Sequence, residues 1–333
     1  MKALTLTAAS TFTYGDVPIP KPGPDEVLIR IAACGICGSD IHGMDGRSGR
    51  RKPPIIMGHE AAGTIEAVGG NVQTWSPGQR VTFDSTVFCG DCRYCQEGKV
   101  NLCDSRQVMG VSCDEFHRDG AFAEYVTAPA RILHLLPENL PFEEAAFAEP
   151  VGVALHAVSR AKVDSSTKAL VVGTGLIGLL IVQALKMKGY QEIHAIDIDQ
   201  SRLDLAQKLG ATHIHLADSE SAKALSELDL ALEVVGATPT LHQAIDAVRK
   251  GGQIVLVGNI SPSVELPLQK IVTRELDVVG SCAIAGEYPA ALKAIAGGQI
   301  DVRSLITTTA PLSDGAKYFT QKDQLKVILT PDA

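Results

Sequence analysis

Between Lys168 and Gly280 apolar strands alternate with helical patterns, and the first of those strands runs straight into Gly173-Thr174-Gly175-Leu176-Ile177-Gly178. No other feature limits the fold as much. Ala169-Leu170-Val171-Val172, Ile193-His194-Ala195-Ile196, Leu230-Ala231-Leu232-Glu233-Val234, Ile254-Val255-Leu256-Val257 and Leu276-Asp277-Val278-Val279 are the apolar runs that a parallel sheet buries on both faces. The pattern predicts a helix from Ser201 to Leu209, with Asp199 as N-cap and Gly210 past its end. A G-x-G-x-x-G turn between strand and helix is the fingerprint of a doubly wound Rossmann sheet that takes a dinucleotide. Gly173 permits the tight turn, Gly175 lets backbone approach a pyrophosphate, and Gly178 lets helix and strand pack. The helix N-terminus, with Thr174, Leu176 and Ile177 in the turn, offers N–H groups to the anion. Asp197 ends the next strand, 24 residues beyond Gly173. It is placed to accept hydrogen bonds from an adenosine ribose and to repel a 2′-phosphate, which favours NAD over NADP. Arg202 is counted with these residues, as a helix-surface group rather than a phosphate clamp.

The stretch from Ala169 to Leu185 is almost wholly apolar, but a membrane span needs about 20 such residues and this one is interrupted by three glycines. A chain of 333 residues has room for about two domains. Seven of its eight cysteines and 11 of its 17 prolines precede residue 151, so the first half is built differently. There, Val27–Ile31, Gly63–Val68, Arg80–Phe83 and Ala123–Val126 read as short strands between Gly, Pro and Asp signals, a mostly β domain. Thirty basic against 38 acidic residues give a net charge of −8, without the basic patch of a nucleic-acid binder. A small-molecule partner is expected. No secretory signal is legible at the N-terminus, so the expected location is cytoplasmic.

Cys89, Cys92, Cys95 and Cys103 form C-x2-C-x2-C-x7-C. Four thiolates at this spacing can close one tetrahedral zinc site with no position left for substrate, hence a structural zinc. Disulfides and an iron–sulfur cluster are the alternatives for four such residues. Cys34, Cys113 and Cys282 read as small hydrophobes, and His156 as a core histidine.

Three further segments carry chemistry: Cys34-Gly35-Ile36-Cys37-Gly38-Ser39-Asp40-Ile41-His42, Gly58-His59-Glu60-Ala61-Ala62-Gly63 and Ala148-Glu149-Pro150. Together they supply thiolate, imidazole and carboxylate, the mixed donor set of a catalytic zinc with an open position. With the four-cysteine lobe and G-x-G-x-x-G following in order, the chain resembles the zinc-dependent medium-chain alcohol dehydrogenases. The resemblance is to their polyol and sugar-alcohol branch, which includes sorbitol and galactitol-1-phosphate dehydrogenases. It implies an α/β fold: a mostly β, GroES-like catalytic domain over 1–150, a Rossmann NAD-binding domain over 151–285, and a return to the first domain over 286–333. Ile300-Asp301-Val302 and Val327-Ile328-Leu329 read as strands of that return. The resemblance further implies two zinc ions per chain. Cys37 and His59 match two ligands of the catalytic one, Glu149 matches the third, and Glu60 matches a carboxylate beside the metal or bound to it. Ser39 and His42 match the hydroxyl and imidazole through which an alcohol proton reaches solvent. The implied reaction is oxidation of a secondary alcohol with hydride transfer to NAD, in a homo-oligomer, tetramer or dimer.

Two segments bear on the substrate. Sorbitol-type enzymes carry an aromatic residue and an Arg just after the Gly that ends the last Rossmann strand. The positions just after Gly280 have neither, which argues against sorbitol itself, although Tyr288-Pro289 matches the family's following motif and makes Tyr288 a candidate substrate contact. Arg47, Arg50, Arg51 and Lys52 put four cations on a loop that borders the family's substrate cleft, so either a phosphorylated sugar alcohol is held there, with Arg47 a candidate contact, or the loop is simply solvated. A non-catalytic dinucleotide-binding or zinc-stabilised protein, a zinc-free NADPH reductase, and a dehydrogenase for a hydroxy-amino acid or sugar acid are the competing readings.

Overall fold

The structure, a computed structural model, describes residues 1–332 apart from 163, 165, 322 and 323. Its contacts divide the chain into two compact units: Met1–Glu149 with Ile284–Gly297 and Val302–Ala333, and Pro150–Ala283 with Gly298–Asp301.

The second unit is built on six parallel strands, ordered His213–Leu216, Glu192–Asp197, Lys168–Val172, Leu228–Glu233, Val248–Leu256, Asp277–Gly280 across the sheet. In chain sequence this is 3-2-1-4-5-6, the doubly wound order, which reverses direction at Lys168–Val172, where ligands bind in such sheets. Ala169–Val172 and Leu179–Leu185 are buried, strand and helix alike. That is why the stretch is so apolar, and no helix among the described residues is long and apolar enough to cross a membrane. The next helix runs Gln200–Leu209, with Asp199 accepting the Ser201 N–H at 2.8 Å as N-cap and Gly210 (φ 137°) closing it.

In the first unit the strand Glu26–Gly35 is the spine of a seven-stranded sheet. It pairs antiparallel with Glu60–Val68 on one side; on the other, Tyr125–Pro129 covers its first half and Lys326–Thr330 its last residues. Ile29, Ile31, Ile65, Phe83, Phe122 and Leu329 lie in the core beneath. Val327–Leu329 is a strand, as the sequence suggests. Ile300-Asp301-Val302 is not: the Gln183 side chain takes both the N–H (2.7 Å) and the C=O (3.1 Å) of Asp301, so these groups join no ladder, and the strand begins only at Ile306.

Candidate active site

After Gly35 the chain leaves the sheet and turns into a short helix, Gly38–Gly43. Cys37 is its N-cap: Sγ accepts the Ser39 N–H at 3.5 Å, and Asp40 returns the contact by accepting the Cys37 N–H on Oδ2 at 3.3 Å. The sheet register opposes Gly35 to Glu60, which carries His59 and Glu60 to the same spot. A Cβ on Gly35 would stand 2.6 Å from Glu60 Oε2 and 3.2 Å from Lys326 Nζ, so only bare backbone leaves room for this carboxylate and its partner. One donor atom from each of Cys37, His59 and Glu60 falls within 4.8 Å of the others. Ser39 Oγ lies 3.5 Å from His59 Nε2, and both Ser39 and His42 are exposed on the helix.

Glu149 is placed differently. It stands on the helix Ala148–Ser159, outside the Cys37–His59–Glu60 group, and its Oε1 accepts a hydrogen bond from Ser85 Oγ at 3.4 Å. Burial pushes its carboxyl up to about 7. Tyr288 is fully buried with its ring stacked on His134 at 4.8 Å, and its hydroxyl has no hydrogen-bond partner among the described residues.

Three charged residues to which the sequence gives no role at the metal site complete the surroundings. Lys326, 1% exposed, forms an ion pair with Glu60 and donates to the Ile36 carbonyl at 3.0 Å. Burial opposes its charge, but the Glu60 carboxylate outweighs this and holds the ammonium above its ordinary pKa. Asp40 is wholly buried, with Oδ1 2.9 Å from Arg51 Nη2 and 3.5 Å from His59 Nδ1. Arg51 therefore belongs to the interior and not to an exposed cationic loop. Of its neighbours, Lys52 pairs with Asp114, and Arg47 pairs with Asp45 while remaining 89% exposed.

The donors suit a divalent cation. When ionised, Cys37, Asp40, Glu60 and Glu149 carry four negative charges, against two positive ones on Arg51 and Lys326. One divalent ion restores the balance, and sulfur, nitrogen and oxygen donors together are a zinc set. In the cysteine lobe, the sulfurs of Cys89 and Cys95 are 3.9 Å apart, those of Cys92 and Cys95 3.5 Å, and those of Cys103 and Cys89 3.5 Å. Four sulfurs at about 2.3 Å from one zinc stand roughly 3.8 Å apart. All four cysteines are free. Of the other thiols Cys34 is buried as expected, whereas Cys113 is half-buried and Cys282 exposed, since the latter lies beyond the end of the sheet's edge strand.

The glycine turn is equally specific. Gly173 has φ +95°, and a Cβ on Gly178 would stand 1.9 Å from the Gly173 carbonyl oxygen, so the helix Leu176–Met187 can start this close to the strand only with glycine there. A Cβ on Gly175 would meet nothing within 4 Å, which leaves open space beside the helix N-terminus. Asp197 Oδ2 accepts from the Thr174 N–H (2.6 Å) and hydroxyl (3.0 Å), tying the acid to the turn. Arg202 lies 3.7 Å from Asp199, the N-cap of its own helix.

Fold and site together define a zinc dehydrogenase, and the chain belongs to the zinc-dependent medium-chain alcohol dehydrogenases. It matches the alcohol dehydrogenase GroES-like domain over residues 23–138 and the zinc-binding dehydrogenase domain over 177–297. Sorbitol dehydrogenase of Bacillus subtilis is 35% identical over 319 residues, covering 92% of this chain and 89% of that protein. D-arabitol-phosphate dehydrogenase of Enterococcus avium is 33% identical over 329 residues, covering 94% and 92%. The crystal structure of galactitol-1-phosphate dehydrogenase from Escherichia coli superposes with a TM-score of 0.91 at 29% identity, over 99% of this chain and 100% of that one.

Proposed function

We propose that the chain oxidises a secondary hydroxyl of a polyol or sugar alcohol to a ketone, with NAD as acceptor. The observation that carries this reading is the convergence of Cys37, His59 and Glu60, with Ser39 Oγ beside His59 and the exposed His42 on the same short helix. Cys37, His59 and Glu60 would hold zinc; Glu149 faces Ser85 in this arrangement and is the alternative carboxylate. When bound, zinc polarises the alcohol oxygen and NAD accepts the hydride. Ser39 accepts the alcohol proton and passes its own toward His42, from which it leaves to water. The Gly173–Gly178 turn, with open space at Gly175, would hold the pyrophosphate of NAD, and Asp197, tied to the turn through Thr174, would supply the acid toward the ribose that disfavours a 2′-phosphate.

The relatives named above act on both plain and phosphorylated polyols. For a phosphate, Arg47 is the candidate contact in its loop: it is 89% exposed even with its Asp45 pairing, whereas Arg51 is buried against Asp40 and Lys52 pairs with Asp114. Functional domains at 1–150, 151–285 and 286–333, the last a return to the first, are supported by the two contact units. A cytoplasmic location suits a four-thiol lobe that a reducing compartment preserves. A dimer or tetramer suits the exposed apolar side chains Leu266, Leu268 and Val272, and light scattering tests it.

The test is NADH formation across matched polyols and polyol phosphates, with NADP in parallel and a chelator-treated control. Chelator-sensitive NADH production is expected. Activity indifferent to zinc removal would overturn the reading, and an Arg47→Ala enzyme that kept its full preference for the phosphorylated substrate would exclude Arg47.

A further inference from the structure

A buried arginine is rare, because its five donors must be satisfied away from water. Arg51 is 4% exposed, and Gly43 makes the space: a Cβ there would stand 2.9 Å from Arg51 Cγ. Inside, the guanidinium meets one carboxylate, Asp40, at 2.9 Å from Nη2, while Nη1 donates to the Arg50 carbonyl at 3.1 Å. Nε has no hydrogen-bond partner among the described residues. The side chain is thus placed for Asp40 at the cost of an unsatisfied donor.

Asp40 in turn joins two of the candidate zinc ligands. Its Oδ2 accepts the Cys37 N–H at 3.3 Å, and its Oδ1 is an ion-pair contact 3.5 Å from His59 Nδ1, on the far side of the ring from Nε2 and Ser39; Nδ1 has no hydrogen-bond partner among the described residues, which leaves Asp40 as the carboxylate beside it. A histidine that ligates a metal is neutral and needs a fixed acceptor for its other nitrogen, which sets tautomer and ring orientation. A neutral His59 no longer balances the Asp40 charge. Among the described residues the one remaining cation in contact with that carboxylate is Arg51, and a buried carboxylate stripped of its counter-charge turns toward water and abandons the groups it orients.

We propose that Arg51 is a positioning residue of the metal centre: through Asp40 it fixes the His59 ring and so sets the zinc affinity of the Cys37–His59–Glu60 site. This rests on reading those three side chains as zinc ligands, so that reading is tested first. The wild-type chain should bind two zinc ions and Cys37→Ala one, the four-cysteine zinc being retained.

Zinc affinity is then measured by chelator competition on the full chain, where the four-cysteine lobe serves as an internal control. Arg51→Met should weaken one of the two sites by about tenfold or more, the range typical of partners just outside the ligand shell, and leave the other unchanged. Arg51→Lys, which keeps the charge, should recover part of the loss. Gly43→Ala, which displaces Arg51 without removing it, should fall between wild type and Arg51→Met. If Arg51→Met binds zinc within twofold of wild type at both sites, the proposal is overturned. It is overturned equally if both zincs weaken together and Arg51→Lys does no better than Arg51→Met, since Arg51 then supports only the fold. Should Arg51→Met not fold, a folded Gly43→Ala with unchanged zinc affinity overturns it.

Discussion

Removing the Lys326 ammonium isolates the energetic role of the pair it forms with Glu60. Both side chains are 1% exposed, and in Lys326→Met the length of the chain is kept while its charge and its bond to the Ile36 carbonyl are lost. Among the described residues no second cation is paired with Glu60, Arg51 being committed to Asp40. Breaking a buried pair from one side costs about 3–5 kcal/mol, because the other charge stays behind unpaired. Against a total stability of about 5–15 kcal/mol, the zinc-stripped variant should be close to unfolding at ambient temperature. With zinc bound, the metal takes over part of the compensation and the loss should be smaller. Urea unfolding followed through Trp75 is the assay: it is the single tryptophan, and its indole N–H donates to Ala130 within the same unit. A Glu60→Gln/Lys326→Met double variant leaves no isolated charge and should recover part of the loss. A Lys326→Met protein within about 0.5 kcal/mol of wild type in the presence of chelator would refute the reasoning, as would a double variant destabilised by the sum of the two singles.

Other expectations are separable from this one. Burial pushes the His134 imidazole down to about 4, so it is neutral in the fold and its stabilisation is complete above an unfolded value of about 6.5; about 2–3 kcal/mol should be lost as pH falls from 6.5 to 4, and His134→Phe should flatten that slope in melting temperature against pH. Cys103→Ser should lower zinc content from two ions to one by elemental analysis while leaving the catalytic zinc, and a chain that still held two would displace Cys103 from the lobe. Gly178→Ala and Gly175→Ala should diverge. The first forces a Cβ to 1.9 Å from a carbonyl oxygen and should lose both stability and NAD binding; the second meets nothing within 4 Å and should melt like wild type yet bind NAD more weakly, as read by nicotinamide-quenched fluorescence.

The parallel sheet was legible because burial on both faces leaves apolar runs, and every strand read from Ala169 to Val279 is present within a few residues. Cys37, His59 and the four-cysteine lobe were legible because ligand chemistry fixes residue types and local spacing. Lys326 left no such trace. A lysine opening an apolar strand reads as a solvated end, and only a carboxylate 266 residues away in sequence makes its burial tolerable. Arg51 misled for the same reason: among three neighbouring cations on a loop, nothing local marks the one that turns inward to Asp40. Ile300–Val302 looked like a strand because its composition suits one, but the competing partner for its backbone is the Gln183 side chain, more than a hundred residues away.

The pairing of Glu60 with Lys326 also orders events during synthesis. Cys37, His59 and Glu60 emerge early, yet the strand Lys326–Thr330, which lines up against Gly35 and delivers the ammonium, is made about 270 residues later. Contacts of such separation form late, after a large loop has closed. Until then the nascent site holds a thiolate and two carboxylates with one of its cations missing, so a growing chain is an incomplete ligand set with excess negative charge. Metal delivered at that stage would meet a flexible chelator; delivered after the last strand docks, it meets a fixed one.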